Sequence, residues 1–133
     1  MNQNSLFCNC GSGKNYSECC EPLIKGYKEP QTPEALMRSR YTAYTKANIT
    51  YITKTMRGKA SIGFDATEAK EWAKRVKWQR LEIIETKLDN PNKGIVEFKA
   101  FFEENGQQGI IHEISEFQRK LGLWYYVNGK HIT

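Results

Sequence analysis

Apolar residues in the first third of the chain recur at helical spacing. Met37, Tyr41 and Tyr44 are separated by four and then three residues, so they fall on one face of a helix. Thr32 precedes this stretch as a candidate N-cap, and Pro33 takes the first helical position, where its missing N–H is no loss. The pattern predicts a helix that begins at Pro33 and buries this stripe.

Two further helices are predicted before the first strand. Asn48 is placed to cap a short helix that carries Ile52 on its apolar side. In the segment FDATEAKEWAKRVKW, Asp65 and Glu68 have the spacing of a capping box, and Trp72 belongs to the apolar face that follows. This segment is the strongest helix signal in the sequence.

The apolar period changes from helical to alternating at about Gln79. The parity of the apolar positions then switches near Ile83, which predicts a β-bulge or a sharp bend. The apolar residues Val96, Phe98, Ala100 and Phe102 alternate with Glu97 and Lys99. The Asn105–Gly106 pair is typical of a hairpin, and two more strands are joined around Gly122. Helices followed by an antiparallel meander predict an α+β fold, with the helices packed on one face of a curved sheet.

Length and composition agree with one globular domain. The chain has 133 residues, of which 39% are hydrophobic and 26% charged, and no run approaches the roughly 18 apolar residues of a membrane span. The first residues show no basic segment followed by an apolar stretch, so no secretion signal is predicted. We therefore expect a soluble, cytoplasmic protein with no membrane partner.

The positive charge of the chain belongs to its first half. Residues 1–60 hold nine Lys/Arg and four Asp/Glu, whereas residues 61–133 hold eleven of each, so the net charge of +5 comes from the first part. A basic surface favours an acidic partner or nucleic acid. Because the basic residues are scattered, a solvated surface is the favoured interpretation, and nucleic-acid binding stays open with weak support.

All the cysteines of the chain lie in the stretch LFCNCGSGKNYSECCEP. In a reducing compartment disulfides are disfavoured, whereas two closely spaced cysteine pairs can each supply two sulfurs to one tetrahedral Zn²⁺. Two disulfides, or reduced thiols with no role, are the alternatives. The expected ligands of the Zn²⁺ ion are Cys8, Cys10, Cys19 and Cys20.

The stretch CNCGSGKNYSECC resembles the SEC-C motif, a zinc-binding segment with the pattern Cys-x-Cys-Gly-Ser-Gly, then Lys, an aromatic residue and Cys-Cys or Cys-His. The residue between the first two cysteines is usually proline, and here it is Asn9, which removes no ligand. A similar segment in the SecA translocation ATPase contacts a chaperone and the ribosome. The resemblance implies a zinc knuckle and a protein partner in export or translation.

Two later stretches, LMRSRYTAY and HEISEF followed by GLWYYVNG, resemble the YchJ family of bacterial proteins. The resemblance implies a nuclear transport factor 2-like, or cystatin-like, cone behind the SEC-C segment. It divides the chain into a zinc-binding segment at 1–28 and a cone domain at 29–133. It implies no activity.

The concave side of such a cone would form a pocket, but the sequence assigns it no catalytic residue. His112 and Glu113 are consecutive on a strand and point to opposite faces, and Arg38 and Arg40 lie about 200° apart on a helix. A buried Arg–Glu113 ion pair that fixes the helix on the sheet is favoured over catalysis. The predicted pocket residues are Arg38, Tyr41, His112, Glu113, Trp124 and Tyr126.

Two functions of different class follow from these observations. In the first, a solvent-facing zinc knuckle displays Lys14, Asn15, Tyr16 and Lys25 to a protein or ribosomal partner. In the second, the protein is a small-molecule enzyme or ligand-binding protein that uses the cone pocket, and the zinc is structural. Four sulfur ligands leave no open position on the metal, so catalysis by zinc itself is disfavoured in both.

Overall fold

Helices precede a four-stranded antiparallel sheet in this chain. The computed structural model describes residues 7–132, so the first six residues of the predicted zinc-binding segment and Thr133 lie outside the described part. The helices are α1 (Cys20–Ile24), α2 (Pro33–Thr45), α3 (Ile49–Lys54) and α4 (Ala66–Arg75), with short 3-10 helices at Tyr16–Glu18 and Gly58–Ser61. The strands are β1 (Lys77–Asn90), β2 (Lys93–Glu104), β3 (Gln107–Lys120) and β4 (Leu123–His131).

Three helices begin at the capping residues that the sequence predicts. The side chains of Thr32, Asn48 and Asp65 each accept a hydrogen bond from the backbone N–H three residues later, at 3.0, 3.2 and 3.0 Å. Each bond satisfies one of the backbone donors that a helix start leaves without a partner. The predicted starts of α2, α3 and α4 are therefore confirmed.

The sheet is a meander in which the strand order is β1-β2-β3-β4. The register between β1 and β2 shifts between Ile83 and Glu85, which confirms the predicted bulge. The register between β3 and β4 shifts where Glu116 pairs with Asn128 but Phe117 pairs with Tyr126. The α+β fold, with helices on a curved antiparallel sheet, is confirmed.

The core lies between the helices and one face of the sheet. Alternate residues of β2 face inward, and Leu36 of α2 and Ile52 of α3 are fully buried against this side. Cys8, Cys10 and Cys20 belong to the same buried cluster. The N-terminal segment therefore packs on the rest of the protein, and its predicted boundary at residue 28 stays a prediction.

The free edge of β4 is partly covered by the chain that follows α3. Tyr126 N donates to Thr55 O at 2.9 Å, and Arg57 N donates to Tyr126 O at 3.0 Å. These backbone bonds hold the β4 backbone at Tyr126, a residue that matters for the cavity described below. Within residues 7–132, no helix has both the length and the apolar character needed to cross a membrane.

Candidate metal centre and cavity

The four cysteine sulfurs lie close together. Their Sγ atoms all lie within 4.8 Å of one another, with Cys10 and Cys19 at 3.6 Å and Cys19 and Cys20 at 3.9 Å, and none is in a disulfide. A tetrahedral zinc with Zn–S bonds of about 2.3 Å needs sulfurs about 3.8 Å apart. The sulfur cluster therefore fits a metal ion of this size and geometry.

A tight turn brings the first cysteine pair towards the second. Cys8 N donates to Lys14 O at 2.8 Å, and Gly11 N donates to Cys8 O at 3.2 Å. Gly11 and Gly13 have φ values of 80° and 86°, in the left-handed region that a side chain disfavours. This turn explains why the motif carries glycine on both sides of Ser12.

Helix α2 holds the N-terminal segment through three side chains at i, i+4 and i+7. We call residues 7–24 the cysteine segment. The three bonds from α2 are Arg38 Nη1 to Cys10 O at 2.7 Å, Thr42 Oγ1 to Cys20 Sγ at 3.4 Å, and Thr45 Oγ1 from Asn9 Nδ2 at 3.0 Å. This polar stripe was not identified from the sequence, although its helical spacing is visible there.

The metal centre faces inward and does not face solvent. Cys10 and Cys20 are 0% and 1% exposed, and Cys8 is 5% exposed. The sulfurs therefore lie against α2, whereas many residues of the turns around them are exposed. Of the four side chains that the knuckle is predicted to display, Lys14, Asn15 and Lys25 are exposed and Tyr16 is half-buried.

Sulfur–sulfur contacts of hydrogen-bond length connect the thiols of the cluster. Hydrogen bonding with Cys10 lowers the pKa of the Cys8 thiol and raises that of Cys20, while burial raises the pKa of the Cys19 thiol. Ser12 Oγ also lies 3.2 Å from Cys19 Sγ. Because metal binding requires all four sulfurs as thiolates, a divalent cation would displace the thiol protons.

A separate cavity of about 160 Å³ lies between α2, α4 and the sheet. Its walls are mostly aromatic, and the indole rings of Trp72 and Trp78 meet edge to face at 5.2 Å. Aromatic pairs in this geometry form rigid, apolar surfaces. The aromatic residues that line it are Tyr41, Tyr44, Trp72, Trp78, Phe98 and Tyr126.

The polar side of the cavity is built around a buried carboxylate. Glu113 Oε2 accepts hydrogen bonds from Ser115 Oγ at 2.5 Å and from the Tyr126 hydroxyl at 3.0 Å. Glu113 Oε1 lies 3.7 Å from Nε2 of His131, which is exposed. Burial raises the pKa of Tyr126, so its hydroxyl stays protonated and keeps donating to the carboxylate.

Three of the six predicted pocket residues, Tyr41, Glu113 and Tyr126, line the cavity, whereas Arg38 does not. Arg38 lies on the face of α2 that holds the cysteine segment, where its guanidinium also pairs with Glu34 at 2.9 Å. The two arginines lie on different faces of α2, and Arg40, not the predicted Arg38, lines the cavity.

His112 and Trp124 also lie outside the cavity. His112 lies on the opposite face of the sheet, where its Nε2 is 2.7 Å from Glu97 Oε2. Trp124 shares the inner face with Tyr126 but lies two residues, or roughly 7 Å, further along the strand. Its indole N–H donates to Gln31 O at 3.2 Å, so it packs under the chain that enters α2.

The predicted ion pair between an arginine and Glu113 is absent among the described residues. Arg40 Nη1 donates instead to Ile52 O at 2.9 Å and to Thr55 Oγ1 at 2.7 Å. Its guanidinium lies over the ring of Tyr126, with Cζ 4.6 Å from the ring centroid. Tyr126 therefore links the two charges, because its ring contacts the cation and its hydroxyl bonds the carboxylate.

A basic groove of about 720 Å³ runs between the cysteine segment and the end of α4. Lys46, Lys74 and Arg80 line it, and no acidic side chain is among its described lining residues. Lys46 Nζ lies 4.4 Å above the ring of Tyr16, so the groove and the cysteine segment are in direct contact. Arg80 is bonded to the exposed Glu82 at 3.1 Å, which leaves the two lysines as the principal charges.

Comparison with known proteins identifies similar chains over nearly the whole length. The family model described as the YchJ middle NTF2-like domain matches residues 32–129. A UPF0225 protein from Geobacter sulfurreducens is 43% identical over 127 residues, covering 94% of this chain and 79% of that protein.

Two solved structures share both the fold and the motif. The solution structure of a SEC-C motif containing protein from Rhodopseudomonas palustris has a TM-score of 0.86 at 35% identity and covers 95% of this chain and 98% of that chain. The crystal structure of a SEC-C motif containing protein from Psychrobacter arcticus has a TM-score of 0.80 at 26% identity and covers 95% of this chain and 82% of that chain.

Proposed function

The chain belongs to the YchJ family, also named UPF0225, and we propose that it is a zinc-dependent adaptor whose metal centre fixes a basic docking surface for an acidic segment of a protein partner. One observation carries the proposal: the four cysteine sulfurs lie close together against α2, at distances that suit a tetrahedral metal ion. The family relationship supports metal binding by this motif. The metal and the partner are our inference.

Zinc is the ion that best suits this ligand set. Four thiolates form a soft, closed, tetrahedral site, which favours Zn²⁺ over the hard cations that prefer oxygen. Such a site has no open coordination position for a substrate. The ion would therefore act as a structural element that Cys8, Cys10, Cys19 and Cys20 hold.

A structural zinc would rigidify the surface around it. Binding of the ion ties the first turn of the cysteine segment to α1, and the bonds from Arg38, Thr42 and Thr45 tie both to α2. A surface ordered in advance loses less conformational entropy when a partner docks. Zinc would thus raise partner affinity without contacting the partner.

The charge of the neighbouring groove supports an acidic partner. Lys46 and Lys74 are exposed on its two walls, and no carboxylate among its described residues neutralises them. Opposite charges across an interface accelerate association and discriminate between partners. We infer that the occupant is an acidic segment of a protein in the export or translation machinery.

The test compares the wild-type protein with a Lys46→Glu/Lys74→Glu variant and with Lys130→Glu as control, since Lys130 is exposed on β4 and outside the groove. Binding of a fluorescent acidic peptide and of an RNA oligonucleotide of equal charge is measured by anisotropy. We expect zinc-dependent peptide binding that the double variant loses and the control retains.

Two results would overturn the proposal. Preference for the RNA over the peptide would make the groove a nucleic-acid site. Equal peptide binding with zinc and after its removal would separate the docking surface from the metal. Crosslinking in bacterial lysate, with the same three proteins, then tests whether the zinc-dependent partner belongs to export or translation.

The alternative function, in which a small molecule binds in the cavity, has a separate observation in its favour. The cavity contains a buried arginine and a buried glutamate that do not pair with each other. Neither residue contributes to the docking surface.

A further inference from the structure

Two opposite charges are buried in one cavity without forming an ion pair. Arg40 is 4% exposed and Glu113 is 8% exposed, and both line the cavity beneath α2. Among the described residues, Arg40 forms no salt bridge. The cationic neighbour of Glu113 among the described residues is the exposed His131, at 3.7 Å. Because a buried charge without a close opposite partner is costly, both groups keep charge that a ligand in the cavity could satisfy.

Arg40 has donors left over for a ligand. In the described structure only its Nη1 donates hydrogen bonds, to Ile52 O and Thr55 Oγ1. In the described part of the chain, side-chain nitrogens and oxygens of non-exposed residues that lack a hydrogen-bond partner all keep some accessible surface. The remaining N–H groups of Arg40 are therefore open to the space that the residue lines.

Glu113 offers the complementary acceptor. Its Oε2 is occupied by Ser115 and Tyr126, whereas Oε1 has only His131, at 3.7 Å, beyond hydrogen-bond length. Gly129 belongs to the same arrangement, since a Cβ there would overlap the Tyr126 hydroxyl and the Glu113 carboxylate. The carboxylate is thus held in place with one oxygen free.

The size and walls of the cavity define the remaining chemistry. A cavity of about 150 Å³ admits a benzene ring, and this one has about 160 Å³. Its six aromatic residues provide flat surfaces on which a ring can stack. The space therefore suits a planar molecule with a single ring.

We propose that this cavity binds a neutral, planar, single-ring molecule with an amide or lactam group, whose carbonyl accepts from Arg40 and whose N–H donates to Glu113. A carboxylate on the ring would satisfy Arg40 but be repelled by Glu113, and a cationic group would have the reverse problem. A neutral amide offers an acceptor to the Arg40 cation and a donor to the Glu113 carboxylate, so it suits both charged groups. The inference goes beyond the proposed docking function and does not depend on zinc.

The experiment uses three probes of nearly equal shape. Benzamide carries both a donor and an acceptor, benzoate only acceptors with a negative charge, and benzamidine only donors with a positive charge. Binding to the zinc-loaded, full-length protein is followed near neutral pH, at millimolar probe concentrations, through the indole N–H signals of Trp72 and Trp78 in protein-observed NMR. Benzamide is expected to bind most tightly.

Two variants test the roles of the charges. Arg40→Met should lower the affinity for benzamide by about tenfold or more. This is the range expected for loss of a hydrogen bond to a charged group. Because this variant can fail to fold, Glu113→Gln provides a second test. This substitution keeps the side-chain carbonyl and shape but removes the negative charge. The affinity for benzoate should therefore rise by at least about tenfold relative to the affinity for benzamide. The control Glu97→Gln, on the opposite sheet face, should leave the order of the three probe affinities unchanged.

Several outcomes would overturn the proposal. Tighter binding of benzoate to the wild-type protein would make the cavity an anion site built on Arg40 alone. Tighter binding of benzamidine would make it a cation site built on Glu113 and the aromatic rings. Absence of any indole shift with all three probes would mean that the cavity is a packing void. None of these results bears on the metal centre, so the two proposals fail separately.

Discussion

Replacement of Thr42 by valine is expected to weaken zinc binding while the fold is retained. Thr42 is fully buried, and its Oγ1 lies 3.4 Å from Cys20 Sγ and 3.6 Å from Cys8 Sγ. With zinc bound, both sulfurs are thiolates and accept hydrogen bonds only, so the single hydroxyl hydrogen of Thr42 donates to one of them, Cys20 Sγ in this structure. Valine has nearly the same shape but no donor.

The magnitude follows from the role of Thr42 as an outer partner of a metal ligand. Loss of such a partner lowers metal affinity by about 10- to 100-fold, which corresponds to about 1.4 to 2.8 kcal/mol. In the metal-free protein the hydroxyl contacts thiols, which are weak hydrogen-bonding partners. The free energy of unfolding of the metal-free variant should therefore fall by less than about 1 kcal/mol.

The assay is a competition titration of the zinc-loaded protein against a chromophoric chelator. Ser39→Ala is the matched control, because Ser39 is equally buried on α2 but bonds Tyr51 Oη at 2.7 Å and Leu36 O at 2.8 Å. It should lower the free energy of unfolding by about 1 kcal/mol and leave zinc affinity unchanged. Wild-type affinity in Thr42→Val, or an equal loss in both variants, would refute the reasoning.

Three further predictions concern the cavity, the metal and the buried phenols. Gly129→Ala should lower the free energy of unfolding in urea by about 1 to 3 kcal/mol, because the added Cβ overlaps the Tyr126 hydroxyl and the Glu113 carboxylate; unchanged stability would contradict this. Chelation of the metal should increase hydrogen exchange in the cysteine segment and leave the sheet protected, and loss of protection throughout would mean one cooperative unit. Burial raises the pKa of Tyr41 to about 12, above about 10 in the unfolded chain. The contribution of this residue to folding stability is therefore fully present below pH ~10 and is lost as the pH rises towards 12. Ultraviolet titration of the native protein in which every tyrosine ionises near pH ~10 would disprove this prediction.

The helix starts and the bulge in β1 were predictable because each depends on neighbouring residues. Thr32 and Asp65 cap their helices through bonds to residues three positions away. The bulge near Ile83 appears in the sequence as a switch in the parity of apolar positions. The four cysteines are likewise close in sequence and carry their own motif.

The contents of the cavity were predictable only in part, because they depend on distant contacts. Helical spacing shows that Arg38 and Arg40 point apart, but not which of them faces the sheet. That choice follows from the docking of Cys10 on α2, 28 positions away from Arg38. Strand alternation likewise separates His112 from Glu113 without showing which face the helices cover.

The most direct test of the central claim is zinc K-edge X-ray absorption on protein purified under reducing conditions without chelator, together with metal quantification. We expect one zinc per chain, bound by four sulfurs at about 2.3 Å. This signal should be lost in the Cys19→Ser/Cys20→Ser variant. Much less than one equivalent of zinc, nitrogen or oxygen in the coordination shell, or full occupancy in the double variant would contradict it.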